Sequence, residues 1–114
     1  MTFLFKTQLS MKPQDRKKWW IDNYVSNIQV GACNLEDALD GYVSRLEEDY
    51  ITVSKNALKN KAPMYRDFKD GSTRQVGYVI TGKTSFDSGN GHYIDKYIDI
   101  WVEILTITPT NFDC

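Results

Sequence analysis

YIDKYIDIWVEILTI, residues 93 to 107, alternates with a period of two. Ile94, Ile98, Ile100, Val102 and Ile104 fall on one side, with Lys96 the only polar intruder. Asp95, Tyr97, Asp99, Trp101 and Glu103 fall on the other, so the segment predicts a long strand with one buried face. Its natural partner is QVGYVITGKTSF, residues 75 to 86, across the turn residues SGNG. Because the side-chain period is two, a slip of one residue exchanges the faces, and the pattern therefore selects the register. A two-residue Asn90-Gly91 turn would set Ile80 against Trp101 and mix the faces. A three-residue loop Gly89-Asn90-Gly91 pairs Phe86 with Ile94, Ile80 with Ile100, Tyr78 with Val102 and Val76 with Ile104, apolar against apolar throughout.

That register decides a second question. GYVITGKT, Gly77 to Thr84, matches the pattern of a phosphate-binding loop. Such a loop needs an irregular turn between a buried strand and a helix. Here Tyr78, Val79, Ile80 and Thr81 are strand formers, and SFDSGNG after Thr84 starts no helix. Lys83 is expected opposite Tyr97, diagonal to Asp95 and Asp99, as an ordinary cross-strand neighbour. Nucleotide binding is not expected, and neither is any other cofactor.

Working outward, Thr2 to Leu9 reads as a half-buried strand and Tyr24 to Ala32 as a second, the two forming an antiparallel arm. Met11 to Asp22 is open between a short helix begun by Pro13 and a basic turn. CNLEDALDGYVSRLEED places Leu35, Ala38, Leu39, Tyr42, Val43 and Leu46 on one helical face. Asn34 is the expected N-cap, with Asp37 three residues on as in a capping box. Ile51 to Val53 is a short strand. Residues 56–72 show no sustained period, contain Pro63 and Gly71, and read as a long loop. The expected fold is α+β: one domain, residues 1–114, with a twisted antiparallel sheet of about five strands in the order ββαβββ and one amphipathic helix packed on one face.

The chain has 114 residues, a net charge of −1, seven Tyr, five Phe and three Trp. It has enough aromatic material for a core and for a contact surface. No stretch approaches the roughly 20 apolar residues of a membrane helix. MTFLFKTQLSMK puts its apolar residues before its basic ones, the reverse of a secretory leader, which leads us to expect a cytoplasmic protein. Cys33 and Cys114 lack the spacing of a zinc site or of a disulfide framework and are expected as free thiols, a bridge between them being the alternative. No metal site is expected.

Charge is segregated along the chain. Basic residues dominate 1–18 and 54–83; acids dominate 35–50 and the segment from Thr84 onward. Segregation of this kind bears on partners more than on fold. The outer face of the last strand interleaves Asp95, Asp99 and Glu103 with Tyr97 and Trp101, the residue types that most often anchor protein interfaces. Together with Glu36, Asp40 and Glu47 on the polar side of the helix they form the candidate surface for a protein partner with a basic groove, such as a nucleic-acid-handling protein. The alternative is direct nucleic-acid contact through Lys55, Lys59, Lys61, Tyr65, Arg66, Lys69 and Arg74, bases for phosphates and aromatics for stacking. A small enzyme is the third reading. His92 stands alone beside the hairpin tip, and Asp95 and Asp99 imply no pocket, so no catalytic residue is assigned.

Two stretches, IQVGACNLEDALDGYVSRLEED (28–49) and KYIDIWVEI (96–104), resemble small proteins of Bacteroidota, their phages and mobile elements. The resemblance covers about half of the chain and rests on generic pattern. It implies a small α+β protein whose work is binding. Small phage proteins of this sort include inhibitors of host defence nucleases, the anti-CRISPR class among them, and it transfers no functional residue.

Overall fold

The computed structural model describes residues 1–11, 24–87 and 91–109. In chain order the elements are β1 (Thr2–Met11), β2 (Val25–Gly31), α1 (Leu35–Leu46) with a 3-10 turn at Glu47–Asp49, β3 (Ile51–Thr52), α2 (Lys55–Lys59), β4 (Ala62–Asp67), β5 (Thr73–Asp87) and β6 (Tyr93–Thr108). They form an α+β fold with one six-stranded sheet, ordered β2-β1-β6-β5-β3, with β4 also paired to β5. Every pairing is antiparallel. The expected ββαβββ order with a single helix is thus corrected to six strands and two helices among the described residues. Residues 12–23, including most of the segment left open between helix and turn, lie outside them.

The selected register is the observed one. Phe86 pairs with Ile94, Ile80 with Ile100, Tyr78 with Val102 and Lys83 with Tyr97. The ladder ends at Gly77 and Glu103, so the expected pairing of Val76 with Ile104 falls just beyond it. There β5 leaves β6 for β4, with a register shift between Met64 and Tyr65, while β6 stays on β1, with a shift between Leu4 and Phe5. Each shift leaves one residue of the longer partner unopposed, Val76 on β5 and Leu105 on β6, and bulges of this kind bend a sheet.

Helix α1 forms as its periodicity requires. The backbone N–H of Asp37 donates to Asn34 Oδ1 at 2.9 Å, and Asn34 Nδ2 donates back to Asp37 Oδ2 at 3.3 Å. Ala38, Leu39, Tyr42 and Leu46 are buried on one sheet face against Phe3, Phe5, Ile28 and the β6 residues Ile98, Ile100 and Val102. Fully burying such side chains contributes about 1.5–3 kcal/mol each. A buried polar contact in this layer joins the Thr7 and Tyr42 hydroxyls. Ile94 is on the expected side but 48% exposed, because the hairpin runs on past the edge of the core.

The expected loop at residues 56–72 is instead α2 and β4. Ser54 Oγ accepts from the Ala57 N–H at 3.0 Å and starts a five-residue helix, too short to display a period. In β4 no residue is buried, so no alternation exists to be read. Pro63 is tolerated because β4, among the described residues, pairs only with β5 and so is an edge strand.

Cys33 is disulfide-bonded, which corrects the free-thiol expectation for it; Cys114 lies outside the described residues. No helix among the described residues is long and apolar enough to cross a membrane.

Tyr24, just before β2, donates its hydroxyl to Asp49 Oδ2 at 2.7 Å and ties the arm to the turn after α1. Burial, and then the Asp49 carboxylate, push the phenol up to about 12 from an ordinary value near 10. A raised pKa means that the folded state holds this proton more tightly than the unfolded state. The contribution is therefore complete below about pH 10 and lost as pH climbs toward 12. Tyr42, pushed up by burial, acts in the same sense. In thermal melts across that range the wild type should lose stability as pH rises, and Tyr24→Phe should show a shallower fall.

Candidate functional site

The sheet has one face under α1; the opposite, open face is bordered at its β3–β5 edge by α2, whose Ser54 cap and Ala57 lie near Thr81, Lys83 and Tyr97. On the open face β6 presents Asp95, Tyr97, Asp99, Trp101 and Glu103, flanked by Lys6, Gln8 and Ser10 of β1 and by Val79, Thr81, Lys83 and Ser85 of β5. Tyr97 is 56% exposed and Trp101 40%. Both are held. Trp101 Nε1–H donates to Ser10 Oγ at 2.8 Å, and Lys83 Nζ lies 5.3 Å from the Tyr97 ring centroid. Beside Tyr97 a recess of about 310 Å³, lined by Thr52, Ser54 and Ala57 among others, extends the face toward β3.

The acids of this face are not an unbalanced cluster. Ser85 Oγ donates to Asp95 Oδ1 at 2.6 Å, and Arg66 of β4 makes an ion pair with Glu103. Lys6 is the β1 partner of Glu103. Asp99, partly exposed and opposite Ser10 and Thr81, has no hydrogen-bond or ion-pair partner for its carboxylate among the described residues. The expectation of an acidic surface is corrected to a charge-balanced one with a single unpaired carboxylate between the two aromatics.

Glu36, Asp40 and Glu47 do not join this surface. They project from the solvent side of α1, which packs on the opposite face of the sheet. Glu36, Asp37 and Asp40 instead form one wall of a cleft of about 440 Å³ whose other wall is Lys55, Lys59 and Lys61, with Leu39 and Leu58 between them. The acidic and basic blocks of the sequence thus face one another.

Beyond Lys55 and Lys59 the basic residues are dispersed. Lys61 Nζ sits 5.2 Å from the Tyr78 ring centroid. Arg66 is on the open face with Glu103. Arg74 stacks on Phe68, 4.4 Å from its centroid, and pairs with Asp70 at 2.7 Å in the β4–β5 hairpin. The Ser72 hydroxyl and N–H, then Arg74, hold the Asp70 carboxyl below its usual range. Tyr65 is 61% exposed, and Lys69 lies in the hairpin turn. The basic residues of the candidate nucleic-acid contact thus fall in three places: the cleft beside α1, the open sheet face and the β4–β5 hairpin.

GYVITGKT lies within β5. Lys83 points to the open face, whereas the Thr84 hydroxyl is buried on the other side and donates to the Tyr50 carbonyl at 3.0 Å. In a phosphate loop the lysine and the hydroxyl must converge on one phosphate and its magnesium; here they lie on opposite sides of a sheet. His92 is exposed, and Asp95 and Asp99 are separated by Tyr97 on an open surface. Comparison with protein-family models, with curated proteins and with solved structures finds no match.

Proposed function

We propose that this protein is a non-catalytic binding module that engages a protein partner through the open face of its sheet, with Tyr97 and Trp101 as anchors. One observation carries the reading: two large aromatics, one of them held by the Ser10 hydrogen bond, stand exposed on the sheet face opposite α1, while the face under α1 already has a buried core. Pre-oriented Tyr and Trp lose little conformational freedom on binding and supply large contact area. The narrower version, a phage-type inhibitor of a nucleic-acid-handling protein, draws its support from the sequence resemblance. Such an inhibitor working in the cytoplasm would meet a reducing milieu in which the Cys33 disulfide opens; the sheet-face contact does not involve Cys33. Direct nucleic-acid binding is the second reading, and the dispersal of its basic residues weighs against it.

The test is capture from nuclease-treated and untreated lysates on immobilised protein, with the wild type, Trp101→Ala, and Glu36→Lys with Asp40→Lys side by side. A nuclease-resistant protein lost only with Trp101→Ala supports the reading. Loss only with the helix variant moves the site to α1. Recovery of nucleic acid that weakens steeply with salt moves the function to the basic residues.

A further inference from the structure

Resting on that reading, we infer that Asp99 receives a cationic side chain of the partner, an arginine, between the rings of Tyr97 and Trp101. The three residues alternate along β6 on the open face, so neighbours stand about 7 Å apart. A guanidinium seated on Asp99 then has an aromatic residue as its neighbour on either side, and an aromatic ring attracts a cation placed over its face.

Three further observations favour this occupant. Asp95 and Glu103 already have donors, whereas Asp99 has none among the described residues. Lys83 lies over the Tyr97 ring and makes no ion pair with Asp99, so the carboxylate stays open and an arginine seated on it would share Tyr97 with Lys83. The Ser10 hydroxyl holds the Trp101 indole N–H and so fixes the ring that would form the other wall. Arginine fits better than lysine because its planar fork can meet a carboxylate with two hydrogen bonds while stacking on aromatic faces.

The experiment is an NMR titration of the isotope-labelled full chain with a blocked Gly-Arg-Gly peptide and with its uncharged citrulline counterpart. The readout is the Trp101 indole N–H, assigned with Trp101→Phe because the chain has three tryptophans. A saturable shift with the arginine peptide, weakened about tenfold in the citrulline peptide and in Asp99→Asn but unchanged in Glu48→Gln, an exposed acid of the turn after α1, is expected. An equal response to both peptides, or full binding by a folded Asp99→Asn, overturns the inference. Captured partner separates the two readings. If Asp99→Asn still captures it and Trp101→Ala does not, the arginine seat falls and the sheet-face reading stands; if both variants still capture it, both fall.

Discussion

Gly77→Ala should destabilise the protein by at least about 3 kcal/mol, the upper end of what overpacking commonly costs. A Cβ built on Gly77 would lie 1.9 Å from the Val102 carbonyl oxygen, 2.9 Å from its carbon and 3.0 Å from Glu103 Cα, and all three are backbone atoms. No rotamer change can relieve such a clash. The β5–β6 ladder must open at its end, where the strand is already bending toward β4. Gly82, the second glycine of the phosphate-loop pattern, differs. Its Cβ would meet Ile100 Cδ1 at 2.5 Å, the mobile end of a side chain, with the Thr52 oxygen at 3.2 Å. Gly82→Ala should therefore cost less. For a chain of this size, about 3 kcal/mol corresponds to a melting temperature lower by roughly 10 °C or more. Melts of the two variants against wild type check both the size and the order, and a Gly77→Ala protein melting within a degree or two of wild type would overturn the steric account. Two glycines that a pattern search assigns to a phosphate loop are thereby explained by strand packing.

The same segment shows what local sequence can and cannot reveal. Alternation in β6 and apolar matching with β5 selected the register, and the spacing in α1 with Asn34 as cap located the helix, because these signals are carried by residues close in the chain. Periodicity gives a side chain's direction and not its depth, which is why Ile94 points with the core residues and still lies 48% exposed. Helix α2, five residues long, and β4, with nothing buried, have no pattern to detect. The candidate site was legible in part. That Tyr97 and Trp101 share a face apart from the isoleucines followed from the period of two. That the face is charge-balanced did not, since Glu103 meets Arg66 from 37 residues away and Trp101 meets Ser10 from 91 residues away. Such partners depend on β1 lying against β6 and β4 against β5, an ordering that no local signal encodes. The separation of Glu36, Asp40 and Glu47 from Asp95, Asp99 and Glu103 has the same origin, because it depends on which sheet face the helix covers.

Replacing Tyr97 and Trp101 together by alanine should abolish capture of the partner while the protein stays folded. The two halves of that expectation have separate physical grounds. Neither ring belongs to the buried core, which is formed on the other face by residues such as Phe5, Tyr42 and Ile100. What the fold loses is the Ser10 hydrogen bond, the Lys83 contact and the strand preference of two aromatics. Strand preferences span only about 1 kcal/mol per site. Binding has more to lose, since central aromatic anchors commonly carry about 2 kcal/mol or more each, and two such losses weaken affinity by roughly 1,000-fold or more. Circular dichroism and a melt establish the folded state, and titration against the captured partner gives the affinity. A folded double variant with unchanged affinity would remove the open face from the function. A double variant that unfolds would show that the rings stabilise the sheet, and Trp101→Phe, which keeps the apolar bulk but lacks the indole N–H, would then separate support of the strand from contact with a partner.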